Sequence, residues 1–126
     1  MGVLNTLVTV HSWIRWLVLV ALVGGAVVGL LRRKAEWNPS VFQLAVMVVD
    51  IQVTIGLVIW FFYDGWKRDF FYKVLHPGFM ILALAIAHMG FAVAKKRKDA
   101  SSWLIVAGSF AVSLALIIGA IPWDRL

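Results

Sequence analysis

The 126-residue chain contains no cysteine. This excludes disulfides, thiolate metal centres, iron–sulfur ligation and covalent c-type haem attachment, so redox chemistry here requires a cofactor held by His, Met or carboxylate. Those side chains are few: three His, four Met and six Asp plus Glu. Charge is scarce as well, at 14% of residues, where a soluble domain carries roughly 25%. With 63% hydrophobic residues and a mean hydropathy of +0.93, the composition argues against a soluble globular domain and for a chain whose solvent is the lipid bilayer. There is no low-complexity tail, strong internal repeat or nucleic-acid-binding module. The net charge of +6 comes mostly from short basic clusters between apolar runs, which is an orientation signal and gives no reason to expect a nucleic-acid partner.

A spanning helix needs about 20 mostly apolar residues. Four stretches meet that requirement, residues 4–31, 41–63, 74–94 and 102–123, and they occupy nearly the whole chain. The connections between them are short enough to force neighbouring helices antiparallel. The expected fold is therefore all-α, a single four-span integral membrane domain in the form of an up-down four-helix bundle. The first and third connections carry the clusters Arg32-Arg33-Lys34 and Lys95-Lys96-Arg97-Lys98, whereas the second mixes Lys67, Arg68 and Lys73 with Asp64 and Asp69. The positive-inside rule then places the first and third connections in the cytoplasm and both termini outside. Indole rings favour the headgroup level, and Trp13, Trp16, Trp60, Trp66 and Trp123 fall at outer helix ends, with Trp37 and Trp103 at inner ends. The first fourteen residues contain no Lys or Arg, so the first helix reads as a retained span, not a cleaved signal peptide. Connections this small leave chemistry to the bundle interior or its rims.

A rise of about 1.5 Å per residue, counted from the cytoplasmic helix ends, puts His11 about 30 Å up, Arg15 about 24 Å and His76 about 27 Å, with Asp50 about 13 Å and His88 about 9 Å up. The polar residues thus form two levels. His11 and Arg15 share one face of the first helix, and an intramembrane Arg carries a cost that calls for a partner, a cofactor or an escape to lipid phosphate by snorkelling. His76 precedes Pro77, a pairing that disfavours α geometry at His76 and suits the mouth of a helix, where a His can also be a simple water-facing cap. The matched depths of His11 and His76 meet one condition for bis-imidazole ligation of haem b, with Arg15 available to a haem propionate or a quinone carbonyl. Met80, one turn beyond His76, reads as packing.

At the inner level, His88 and Asp50 lie within one turn in depth and are expected to form a buried polar pair. Three roles stay open for it: structure, haem ligation by His88, and proton relay. Asp50 is expected to face the bundle interior or to be protonated. Gly25-xxx-Gly29, Ala111-xxx-Ala115 and Ala115-xxx-Gly119 are small-xxx-small patterns that read as close helix packing. The fourth helix has no ionisable side chain between Ser102 and Trp123 and reads as scaffold.

His11-Ser12-Trp13-Ile14-Arg15-Trp16, Gln52 with Gly56-Leu57, His76-Pro77 with Met80, Ala87-His88-Met89-Gly90 and Ile121-Pro122-Trp123 occur in an order and spacing that resembles a family of small bacterial four-helix membrane proteins described as cytochrome b-like. The resemblance implies a bacterial cytoplasmic membrane, haem b within the bundle and electron transfer, carried onto His11, His76 and, as an alternative ligand, His88. Relatives place a His on the second helix where this chain has Asp50. With three His in all, one haem b is expected and not two. Two other classes fit the same residues: an accessory subunit of a larger respiratory or photosynthetic complex, or a homo-oligomer, with its polar groups in packing or quinone contact; and a small proton or ion transporter using Arg15, Asp50 and His88. An electron carrier or complex subunit fits better than a stand-alone enzyme.

Overall fold

The computed structural model describes residues 2–123, which are helical with no strand among them. Four helices, α1 (Gly2–Leu31), α2 (Ser40–Phe62), α3 (His76–Arg97) and α4 (Ala100–Ala120), are each long and apolar enough to cross a membrane. Consecutive helices run antiparallel: Tyr63 after α2 meets Asn5 of α1, His76 at the start of α3 meets Ala120 at the end of α4, and Gly29 of α1 meets Trp103 of α4. Around the bundle the order is α1, α2, α3, α4, and the α2–α3 seam is the loosest of the four. One end, termed here the basic end, carries Arg32 to Lys34 and Lys95 to Lys98; the opposite, open end holds the start of α1 and the end of α4. Met1 and residues 124–126 lie outside the described residues, and with them the expectation for where the termini sit.

Local chemistry sets the helix boundaries. Asn38 accepts from the Ser40 backbone N–H (3.1 Å) and hydroxyl (2.7 Å) ahead of α2, and Pro39 stands where a missing N–H costs nothing. α3 ends at Lys98, whose positive φ (57°) turns the chain, and Asp99 opens α4 with a capping box: it accepts from the Ser101 and Ser102 N–H groups, and the Ser102 hydroxyl accepts from the Asp99 N–H. The third span starts earlier than its hydropathy suggests. A π-helical turn over Phe71–Leu75 runs directly into α3, and His76 is helical (φ −61°, ψ −56°) in spite of Pro77. The wider turn makes room for the proline ring. Pro77 has no N–H for the Lys73 carbonyl four residues back, and the Trp60 indole donates to that oxygen instead at 3.3 Å.

Burial is concentrated on α4, where Ser102, Val106, Phe110, Ser113, Ile117 and Ala120 present one inward face. The matching stripe on α3 is small: Ala83, Ala87, Gly90 and Ala94. Side chains this short let the backbones meet, so the Ser113 hydroxyl reaches the Ala83 carbonyl (2.8 Å), the Ser102 hydroxyl reaches that of Ala94 (2.7 Å), and a methyl on Gly90 would overlap Ser109. Gly25 and Gly29 do the same for α1, where an added Cβ would fall 2.6 Å from the Phe110 ring or 2.7 Å from the Trp103 carbonyl. The other small-residue patterns do not pack inside this bundle. Gly108, Ala111, Ala115 and Gly119 are exposed along the outside of α4, because its inward face is already taken by the positions one step round the helix.

Trp103 lies at the expected end of the bundle, but inside it and not on its outer surface. It is fully buried, edge-on to Trp37 (5.1 Å between ring centres) and Phe42 (5.6 Å), and its indole donates to the Ala35 carbonyl at 2.9 Å. Because the 32–39 connection folds back under the bundle, these rings and Phe110 plug the basic end.

Gly29→Ala is expected to destabilise the protein in detergent by about 1–3 kcal/mol, since the methyl meets a backbone oxygen that cannot rotate away. Gly24→Ala, which faces open space, should be neutral or stabilising through helix propensity; equal thermal midpoints for the two variants would contradict the packing described. Exposed Asp99 is held below the ordinary carboxylate range, chiefly by the Ser101 hydroxyl. A depressed folded-state pKa gives stability that is present above the ordinary value and lost as pH falls through the depressed one. Asp99→Ala should therefore lower the thermal midpoint at neutral pH, with the gap closing in acid.

Candidate functional site

At the open end the four helices surround a cavity of about 570 Å³, within the roughly 300–1,000 Å³ of small-molecule and cofactor sites. Its position follows from what fills each end. The basic end is filled by Phe42, Trp103 and Phe110, whereas the inward positions of the open end are His11, Ser12, Gln52, Gly56 and His76. Val8, Val53, Ile117 and Met80 make most of the wall apolar, and Tyr63, Arg68 and Tyr72 join the lining from the α2–α3 connection.

His11 and His76 stand together in this cavity, their ring centres 6.4 Å apart and their planes at 80°. Nδ1 of His76 lies 2.8 Å from the Ala120 carbonyl. A carbonyl only accepts, so Nδ1 carries the proton and the lone pair of the neutral ring is on Nε2. Backbone bonding of this kind is how a ligating His has its tautomer and orientation set. Across the cavity Gly56 leaves space for His11: a methyl there would approach its Cε1 to 3.0 Å. Gln52 spans the same gap, its amide donating to the His11 carbonyl at 2.7 Å.

Arg15 Nε is buried in this lining with no partner among the described residues, whereas the His11 ring and the Gln52 side chain face one another. A buried donor or acceptor left unpaired costs about 1–3 kcal/mol. Arg15 sits one turn from His11, with its guanidinium 4.8 Å from the Trp16 ring centre. Among the described residues no three of His, Asp and Glu gather as a metal-binding group. Two imidazoles alone are instead the donor set for an iron whose other positions are filled by a macrocycle, so the residues present fit a haem.

The second polar level is a different place. His88 Nε2 and Asp50 Oδ1 are 2.6 Å apart, and neither residue lines the cavity. His88 is not brought to His11. The pair is not buried, and Asp50 does not face the interior: the two side chains are 41% (Asp50) and 48% (His88) exposed. The reason is rotational. Ala87 and Gly90 point at α4, which turns His88 about 100° away at 3.6 residues per turn, and Val49 takes the inward position beside Asp50.

No family model, curated protein or solved structure matches the chain. Sequence reasoning does not reach the Ala120 carbonyl or the close approach of Gly56 to His11, because a backbone acceptor and a missing side chain have no signal of their own. Gln52 is visible as an uncharged polar residue in a span, but its contact with the His11 carbonyl is not.

Nitrogen-15 NMR of the metal-free protein at mildly alkaline pH should find His76 as the Nδ1–H tautomer. A protonated Nε2 with bare Nδ1 would remove the tautomer and orientation argued for that ring.

Proposed function

We propose that the protein is a multi-pass membrane haem b protein that transfers single electrons, with one haem held between His11 and His76. The observation that carries this reading is the pair of imidazoles 6.4 Å apart inside a mostly apolar cavity. The bond from His76 to the Ala120 carbonyl and the unpaired Arg15 Nε in the lining support it, and the resemblance to cytochrome b-like proteins agrees with it. The four helices lie across a bacterial cytoplasmic membrane, with the basic end on the cytoplasmic side, as the positive-inside rule requires. The cavity then opens toward the outer face.

In this reading His11 and His76 are the residues that would hold the haem. A bound haem b supplies reversible one-electron chemistry at its iron. The chain's own residues do the rest. Ala120 holds the His76 ring by one hydrogen bond, and Gln52 ties α2 to the α1 backbone at His11. Arg15 would offer a cation to an anionic edge of the cofactor, where negative charge would otherwise be costly at this depth. The apolar walls keep water from the cofactor edge, and Gly56 leaves the width that His11 needs. Small connections favour electron exchange with a neighbouring membrane partner, such as a larger redox complex or quinone.

A reduced-minus-oxidised spectrum of the detergent-purified chain, with a pyridine haemochrome assay, is expected to show b-type haem. His11→Ala and His76→Ala should each lose it, and His88→Ala should retain it. A colourless protein after haem supplementation, or loss on His88→Ala with retention on His76→Ala, would overturn the assignment.

A further inference from the structure

The Asp50–His88 couple takes no part in the cavity, and a single chain in lipid gives it no shelter. Both residues lie near the midpoints of their helices and face outward through the α2–α3 seam. Ionisable side chains at that depth are costly unless protein covers them. Beyond the contact of Nε2 with Oδ1, the imidazole Nδ1 and the carboxyl Oδ2 have no partner among the described residues. An uncharged pair, the form that lipid favours, carries a proton on Nδ1. The surface around the pair also differs from the lipid-facing side of α1, where Leu17, Val20, Val23 and Val27 are all large and aliphatic. Here Ala85 and Ala92 flank His88 in the open, and exposed Thr54 lies one turn from Asp50.

We infer that this α2–α3 face is where two copies of the chain associate, each His88 Nδ1–H donating to Asp50 Oδ2 of the other copy. One donor beside one acceptor is a self-complementary patch, and a two-fold axis through it presents each acceptor to the opposite donor. Exposed alanines on either side of His88 let the second copy's helices come close enough for the bonds to form. Association removes from lipid the polar atoms that the fold leaves open. The inference rests on the membrane placement proposed above and is independent of haem binding.

The absence of cysteine allows site-specific cross-linking of the full chain in its membrane. Ile51→Cys and Met89→Cys place thiols on the proposed face, and Val20→Cys, equally exposed on α1, is the control. Oxidation is expected to give a product of twice the chain's mass from the first two and little from the third. The product should be lost when Ile51→Cys is combined with Asp50→Ala, and equally with Ala85→Trp, which leaves the bundle core untouched. Monomer alone at both sites, an equal yield from Val20→Cys, or cross-linking to a different protein would overturn the inference. Alkaline carbonate washing separates the two levels: a chain released from the membrane overturns the placement and the interface together, whereas a retained monomer overturns the interface alone.

Discussion

The unequal closeness of helix seams governs this molecule. α4 meets α3 across alanine and glycine, and meets α1 across Gly25 and Gly29, so that backbones and serine hydroxyls are in direct contact. α2 has no comparable small-residue stripe facing α3, and that seam is looser. The packing of small residues sets these distances, because side chains this short let helix backbones reach van der Waals contact and form interhelical hydrogen bonds. The cavity and the exposed Asp50–His88 pair both follow from this inequality. One is the space that looser packing leaves at the open end, and the other is the pair of side chains bridging the loose seam.

The two ends of the bundle are built from different materials. Stacked and edge-on aromatic rings from Trp37, Phe42, Trp103 and Phe110 seal the basic end with large rigid surfaces. At the open end the inward positions are imidazoles, an amide, a serine and a glycine, which cannot fill the same cross-section. The π-helical turn before α3 belongs to this second design. It carries Pro77 within the span, leaves the Lys73 carbonyl to the Trp60 indole, and presents His76 into the cavity from the first turn of a continuous helix.

The buried Arg15 Nε without a partner at an otherwise apolar cavity, and the Asp50–His88 pair with spare bonding capacity on the outside of the bundle, are two kinds of incompleteness. The first is enclosed by the four helices, and the second is open on the outside of the bundle. Both concern groups that an apolar solvent would leave unsatisfied, since lipid offers neither donors nor acceptors.

Helix number, their antiparallel order and the shared level of His11 and His76 are legible in the sequence, because hydropathy run length and a constant rise per residue determine them. So is the juxtaposition of Asp50 and His88 in depth. What a one-dimensional ruler cannot give is rotation about each helix axis. Depth places Asp50 beside His88, but whether the pair points inward depends on which face the alanine stripe of α3 claims, and α4 claims it. The same limit applies to Ala111, Ala115 and Gly119, whose spacing signals close packing without saying whether the partner lies in the chain, and to Trp103, whose indole is drawn inward by a backbone carbonyl 68 residues away in sequence. Only the tertiary structure places the Ala120 carbonyl against His76 and Gly56 against His11, because those contacts arise between helices whose separations are set by packing elsewhere in the bundle.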